Sequence, residues 1–199
     1  MFGGYGYIHE YGIEQTVRDS RVSMLYEGTN EVQAIDLLAR KVMTDRGEGL
    51  QILLAHLRAE ALRCRESVDT ADTRTASAGE RLDTLCADVE RVTRDLIRAG
   101  KDDTELPYRV ASDYLALLGW LLLAFAWART LRIVSAASAA GAASVASSAA
   151  AAGGADPFYA EKRATGAYFF DYPLAAFAHR LALVEAGCKA ALPAAAYVA

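Results

Sequence analysis

Residues 82–96, LDTLCADVERVTRDL, place Leu82, Leu85, Val89, Val92 and Leu96 at alternating spacings of three and four. That repeat is the seam of an amphipathic helix lying nearly antiparallel to a neighbour. The next apolar stretch, Tyr114–Ala128 (YLALLGWLLLAFAWA), has no polar face at all. A helix apolar all round is a buried one, so the helix opening near Pro107 and running to about Val134 is expected at the centre. Its 15 uncharged residues fall short of the roughly 20 that a spanning helix needs, and no membrane span is expected.

The other helices follow outward from this pair. Leu50, Leu53, Leu54, Leu57 and Ala61 form one stripe, and Val32, Ile35, Ala39 and Val42 another, behind Thr29 as a cap. Asp36 and Arg40 stand four apart in the favourable acid-first order. Asp45–Gly49 closes the helix before it, and Gly12–Arg21 suits a short helix near the start. Ser67–Ala78 is polar and reads as a turn, and Gly100–Thr104 as a connection. Ser135–Ala155 holds almost nothing large to bury and reads as a low-complexity Ala/Ser linker with a frayed helical end. A last helix begins near Asp156-Pro157, breaks at Pro173 and resumes to about Leu192. No strand alternation is sustained, so the fold class is all-α, an antiparallel helical bundle of five to six helices.

Composition excludes several functions. The 199 residues carry 21 Lys+Arg against 25 Asp+Glu, a formal charge of −4, and so lack the basic excess of a nucleic-acid binder. Cys64, Cys86 and Cys188 are widely spaced and form no CxxC, and His9, His56 and His179 form no HExxH, so no metal site is expected. The cysteines sit in helical patterns and are expected to be inert. His9 reads as a surface residue, and Arg18, Asp19 and Arg21 as a structural ion-pair cluster. The opening residues lack an export signal, and a cytoplasmic location is expected.

Two glycine-bearing turns, Gly3–Gly6 and Tyr26–Thr29, flank the first short helix. Glycine lets backbone N–H groups approach a ligand closely, and the second turn opens a helix whose N-terminus favours an anion or a carbonyl oxygen. On spacing alone Glu27 reads first as a surface carboxylate beside a helix start, and the glycine run as an ordinary loop.

Taken in order, GGYGY (3–7), RDSR (18–21) and YEGTNEVQ (26–33) resemble the C-terminal region of the FAD-dependent acyl-CoA dehydrogenases. QAIDLLARK (33–41), ASDYLALLGW (111–120) and DPFYAEKRATGAYFFDYPL (156–174) resemble the subfamily typified by 3-methylmercaptopropionyl-CoA dehydrogenase, which carries an extra helical domain. The resemblance implies two parts. Residues 1–45 end the dehydrogenase C-terminal helical domain, and residues 46–199 form the extra domain, with 135–155 its linker. It implies α,β-dehydrogenation of an acyl-CoA thioester, Glu27 removing the α-proton while a hydride passes to the flavin. The Glu27 backbone N–H would bond the thioester carbonyl and stabilise the developing enolate. Burial would raise the Glu27 pKa and the helix N-terminus lower it. Tyr26 would line the acyl pocket (or simply pack in the core), and Gly28 would lie along the substrate. Thr29, Asn30, Glu31, Val32 and Gln33 would border FAD, and Gly3 and Gly4 would touch the adenosine diphosphate of FAD held by a neighbouring subunit. The implied partners are an acyl-CoA substrate, an electron acceptor such as an electron-transfer flavoprotein, and further copies of the chain in a homo-oligomer.

Members of that family are longer, with further domains before this region. The chain is therefore expected to be a fragment holding half a flavin site, with little affinity for FAD on its own. Two other readings compete: a non-catalytic helical oligomerisation or interaction module derived from such an enzyme, and a membrane-associated helical protein resting only on Tyr114–Ala128.

Overall fold

The computed structural model describes residues 2–21, 30–66, 73–147 (backbone alone after residue 137) and 157–190. The described residues form two short 3-10 turns, Gly3–Tyr7 and His9–Tyr11, then α1 (Ile13–Arg21) and α2 (Asn30–Ile35). A π-helical turn (Asp36–Val42) continues α2, followed by α3 (Glu48–Arg65), α4 (Thr73–Ala99), α5 (Leu106–Ser147), α6 (Pro157–Asp171) and α7 (Ala175–Lys189). The all-α bundle expected from sequence is the architecture found.

Helix α5 is the centre. Helices α2, α3, α4, α6 and α7 and the π-turn all pack against it. Leu117, Leu121, Ala124 and Ala128 are fully buried along it, as is Tyr114. The Tyr114 hydroxyl and the Thr93 hydroxyl lie 2.8 Å apart, and Thr93 donates to the Val89 carbonyl at 2.7 Å. Burial pushes the Tyr114 phenol up to about 12. Over Leu106–Ala137 this helix is long and apolar enough to cross a membrane by length and composition, a longer stretch than the 15 residues read from sequence. Three of the four charges interrupting it are tied to the rest of the chain, and the fourth, Arg129, is exposed. Asp113 accepts from Arg180 of α7 at 2.6 Å, Arg132 donates to the buried Glu60 of α3 at 2.6 Å, and Arg109 donates to Asp103 at 2.5 Å.

The α4 seam is as expected: Leu82, Leu85, Val89, Val92 and Leu96 are all buried. Of the α3 stripe, Leu50, Leu54, Leu57 and Ala61 are buried and Leu53 half-buried. The α3 start is built by Asp45, whose carboxylate accepts the Gly47 N–H at 2.8 Å and the Gly49 N–H at 2.9 Å, with Gly47 at φ +81°. Asp103 does the same for α5, taking the N–H groups of Glu105 and Leu106 at 3.1 Å, with Pro107 in the first turn.

Three expectations change. The region expected as a turn to Ala78 is already helical from Thr73, because Thr75 and Ala78 are buried and the Thr75 hydroxyl meets the Ser135 hydroxyl at 3.3 Å; residues 67–72 lie outside the described ones. The central helix does not end near Val134 but continues to Ser147, so the Ala/Ser stretch begins as helix, as alanine propensity favours; residues 148–155 lie outside. The third change concerns the stripe after Thr29. The buried residues are Ala34, Leu38 and Val42, while Val32 is exposed and Ile35 and Ala39 are half-buried. The cause is the π-turn, in which the Met43 N–H reaches the Leu38 carbonyl at 2.9 Å. Bonding to the fifth residue back puts more residues into a turn, so positions four apart line up. At the other end of the bundle α6 and α7 break around Pro173 as expected, α7 closing at Lys189, with residues 191–192 outside the described ones.

Helix α4 crosses α3 closely at Gly79, where a Cβ would stand 2.6 Å from the Ala61 carbonyl oxygen. At Gly119, on the exposed side of α5, a Cβ would meet nothing within 4 Å. Gly79→Ala is expected to cost about 1–3 kcal/mol, since backbone cannot move aside cheaply. Gly119→Ala is expected to stabilise by about 0.5–1 kcal/mol through helix propensity. Urea unfolding of the two variants should shift in opposite directions.

Candidate functional site

Tyr26, Glu27, Gly28 and Thr29 lie outside the described residues. What the structure places is the chain on either side of them. Asn30, Glu31, Val32 and Gln33 form the first turn of α2, and all four are exposed. The same helix is anchored one turn later by Ala34 and then Leu38, both fully buried. The helix start is thus fixed on the bundle by one side while its polar side faces outward.

Gly3 and Gly4 open the first 3-10 turn and are exposed. Gly3 has φ +53°, a conformation that favours glycine, and a Cβ at either position would meet nothing within 4 Å. The turn is held from behind. Tyr5 N–H donates to the Phe2 carbonyl at 3.1 Å, and a Cβ on Gly6 would stand 3.8 Å from Ile13 of α1. Tyr5 and Tyr11 bring their rings to 5.4 Å.

The ionic cluster expected from Arg18, Asp19 and Arg21 is organised differently. Its hub is Glu14, which pairs with Arg18 one helical turn on, while Asp19 accepts from Gln15 at 2.7 Å. The Glu14 carboxylate also accepts from His9 Nδ1 at 2.8 Å. His9 is exposed as expected, but it is bonded. Glu14 was missed in sequence because its second partner lies upstream, across the Gly12 turn; the Glu14/Arg18 spacing of four was the available signal.

The cysteines carry no reactive signature. Cys64 and Cys86 are buried, and burial pushes both thiols up to about 11; Cys188 is half-buried and also raised, burial again the chief cause. Among the described residues no three His, Cys, Asp or Glu side chains converge as a metal site would require.

Two family models match. "Acyl-CoA dehydrogenase, C-terminal domain" matches residues 1–43, and "Acetyl-CoA dehydrogenase C-terminal like" matches residues 54–194, well over half of the chain. The chain belongs to the acyl-CoA dehydrogenase C-terminal family. It is similar to the broad-specificity linear acyl-CoA dehydrogenase FadE5 of Mycobacterium tuberculosis, 32% identical over 134 residues that cover 60% of this chain and 21% of that protein. It is 51% identical to 3-methylmercaptopropionyl-CoA dehydrogenase of Ruegeria pomeroyi over 47 residues, 24% of this chain and 8% of that protein. With the mitochondrial isobutyryl-CoA dehydrogenase of Bos taurus it shares 47% identity over 45 residues, 23% of this chain and 11% of that protein. The chain therefore spans about a fifth or less of the length of these relatives. No solved structure matches it. The short match to the Ruegeria enzyme carries the family and not the finer subfamily.

Gly3–Gly4 is an exposed turn without side chains, and α2 turns Asn30, Glu31 and Gln33 outward. The π-turn after α2 changes the register of the side-chain pairs: Asp36 reaches Lys41, five residues on, at 2.6 Å, and Arg40, four on, only at 3.9 Å. The hydrogen bond from Lys41 is the main cause holding the Asp36 carboxyl below its usual range. The pair's contribution is present above the ordinary carboxylate pKa and is lost as pH falls through the lowered one. Lys41→Ala is expected to return the Asp36 pKa toward the ordinary value further than Arg40→Ala does, as read by NMR titration of the carboxyl. Equal shifts would mean ordinary α-helical register at this place.

Proposed function

We propose that this chain supplies the catalytic-base segment and an additional helical domain to an FAD-dependent acyl-CoA dehydrogenase. Residues 1–45 are the end of the enzyme's C-terminal helical domain, and residues 46–199 are the additional domain, of the kind found in the 3-methylmercaptopropionyl-CoA dehydrogenase-like subfamily, with 135–155 its low-complexity Ala/Ser stretch. The observation that carries the reading is the unbroken family match over residues 1–43, which includes the whole YEGTNEVQ segment. The separate match at 54–194 supports the division into two parts.

In this reading Glu27 is the base that takes the α-proton of the bound acyl-CoA. Its own backbone N–H donates to the thioester carbonyl, so it helps most as negative charge builds on that oxygen. Asn30 follows Glu27 by three residues and begins a helix whose buried side is locked on α5. A firmly seated helix start beside the base would help it keep its geometry through the proton transfer, which is what positioning contributes to rate. Gly28 lies along the substrate, and Tyr26 lines the acyl pocket. Gly3, Gly4 and Thr29–Gln33 hold FAD, which when bound supplies the hydride acceptor. Electrons then leave to an acceptor such as an electron-transfer flavoprotein. Placing Gly3 and Gly4 against a neighbouring subunit's cofactor makes the working unit a homo-oligomer, and a cytoplasmic location suits this chemistry.

The test is Glu27→Gln in the protein carrying this chain. Loss of a general base is expected to lower acyl-CoA-dependent dye reduction by about 10²–10⁴-fold, with visible flavin absorbance retained. Wild-type turnover in the variant would reject the assignment. A colourless, stable oligomer from the wild-type protein would favour a non-catalytic interaction module instead.

A further inference from the structure

We infer that Glu14 is the positioning residue of the glycine turn: its buried carboxylate ties the 3-10 segment to α1 and sets how Gly3 and Gly4 are presented to the diphosphate of a flavin nucleotide. The inference rests on the proposed cofactor role of those two glycines.

The first 21 residues invert the usual distribution of burial. Among the described residues 2–21 every side chain is exposed or half-buried except one, and that one is the Glu14 carboxylate, 6% exposed. The aromatic residues that could have made an apolar core here, Phe2, Tyr5, Tyr7 and Tyr11, are all exposed. Glutamate is almost never this buried unless it is paired, because a carboxylate taken from water must recover its solvation from neighbours. Glu14 recovers it only in part, since its Oε2 is in an ion pair without a hydrogen bond. Arg18 reaches it along α1, and His9 donates to it from the second 3-10 turn at 2.8 Å.

These two partners belong to different elements, and that is what makes the carboxylate a tie. Gly12, at φ +66° with its N–H on the His9 carbonyl at 2.9 Å, reverses the chain so that the turn lies back over the start of α1. Gly6 offers no side chain to pack on Ile13, and the turn has none at Gly3 and Gly4 with which to hold itself. Its orientation is therefore passed down from the segment behind it. Only the carboxylate is buried, while His9 and Arg18 face water, so the tie works through Glu14 and its two arms are partly screened. Arg18, once held, also keeps a guanidinium on the same short unit as the turn.

The test uses the full chain and, for the cofactor, the protein that carries it. Chymotrypsin cleavage after Tyr5, Tyr7 and Tyr11 reports the turn without any flavin. Glu14→Gln preserves size and removes charge. It is expected to raise cleavage at these tyrosines by about tenfold, with circular dichroism of the bundle unchanged, and to weaken FAD binding by a similar factor in equilibrium dialysis. Glu14→Asp, which keeps the charge, is expected to restore both in part. Unchanged cleavage in Glu14→Gln overturns the tie. Faster cleavage with unchanged FAD affinity overturns the positioning role. A wild-type protein with no affinity for FAD sinks the cofactor role of Gly3 and Gly4 and this inference with it, whereas a wild type and Glu14→Gln that bind FAD equally sink this inference alone.

Discussion

Everything in the bundle depends on the burial of α5. The helix is apolar nearly all round, and the driving force scales with the area withdrawn from water, with Leu122, Leu123 and Ile133 left on an exposed side. Six elements are arranged to withdraw it. Burial alone is non-directional, however, and would let neighbours slide along so uniform a surface. The register comes from the polar points set into it: Asp113 to Arg180, Arg132 to Glu60, and Tyr114 to Thr93 each join α5 to a different helix. Because such groups are costly when buried without partners, each selects one alignment out of many that the apolar surface would tolerate. The close crossings at Gly79 and at Gly166, where a Cβ would meet Leu131 at 2.8 Å, then fix how near the helices come.

The seam of α4 and the leucine stripe of α3 were legible because helical period and side-chain size carry the same message there. The start of α4 was not, since Thr75 and Ala78 are small or polar and gain their burial from Ser135 and the neighbouring helix, far away in sequence. The α2 stripe failed for another reason. Val32, Ile35, Ala39 and Val42 satisfy an ideal α period, and the chain departs from it at the π-turn. No residue between Asp36 and Val42 announces the extra residue per turn; the compensation is the alignment of Ala34, Leu38 and Val42 on the core. The family was legible in the ordered short motifs GGYGY, RDSR and YEGTNEVQ, which fall within the matched residues 1–43. Glu14 was not, because its burial is a property of the folded turn and has no apolar pattern to betray it.

The two parts of the chain are thus held by different physics. The bundle is an apolar core pinned by a few polar ties. The N-terminal segment is the reverse, a polar tie surrounded by exposed aromatic and glycine residues. Such a surface is not optimised for water. Phe2, Tyr5, Tyr7, Tyr11 and Val17 together leave apolar area outward that a self-sufficient segment would turn inward.

That contrast bears on how a site can be built at this place. A wall meant to close on a cofactor or another protein surface cannot bury its own contact groups first, or nothing remains to bind with. It must be held by something that does not use them up. Apolar packing behind the turn would recruit the very aromatic residues that face outward, whereas one carboxylate with an arginine and a histidine leaves all of them free to make contacts elsewhere. A charged hub is a poor way to gain net stability, since desolvation consumes most of what the pairing returns. It is a good way to fix an orientation with few side chains. On α2 the same division of labour is reached by other means: Ala34 and Leu38 take the inward side, and Asn30, Glu31 and Gln33 stay on the outward one.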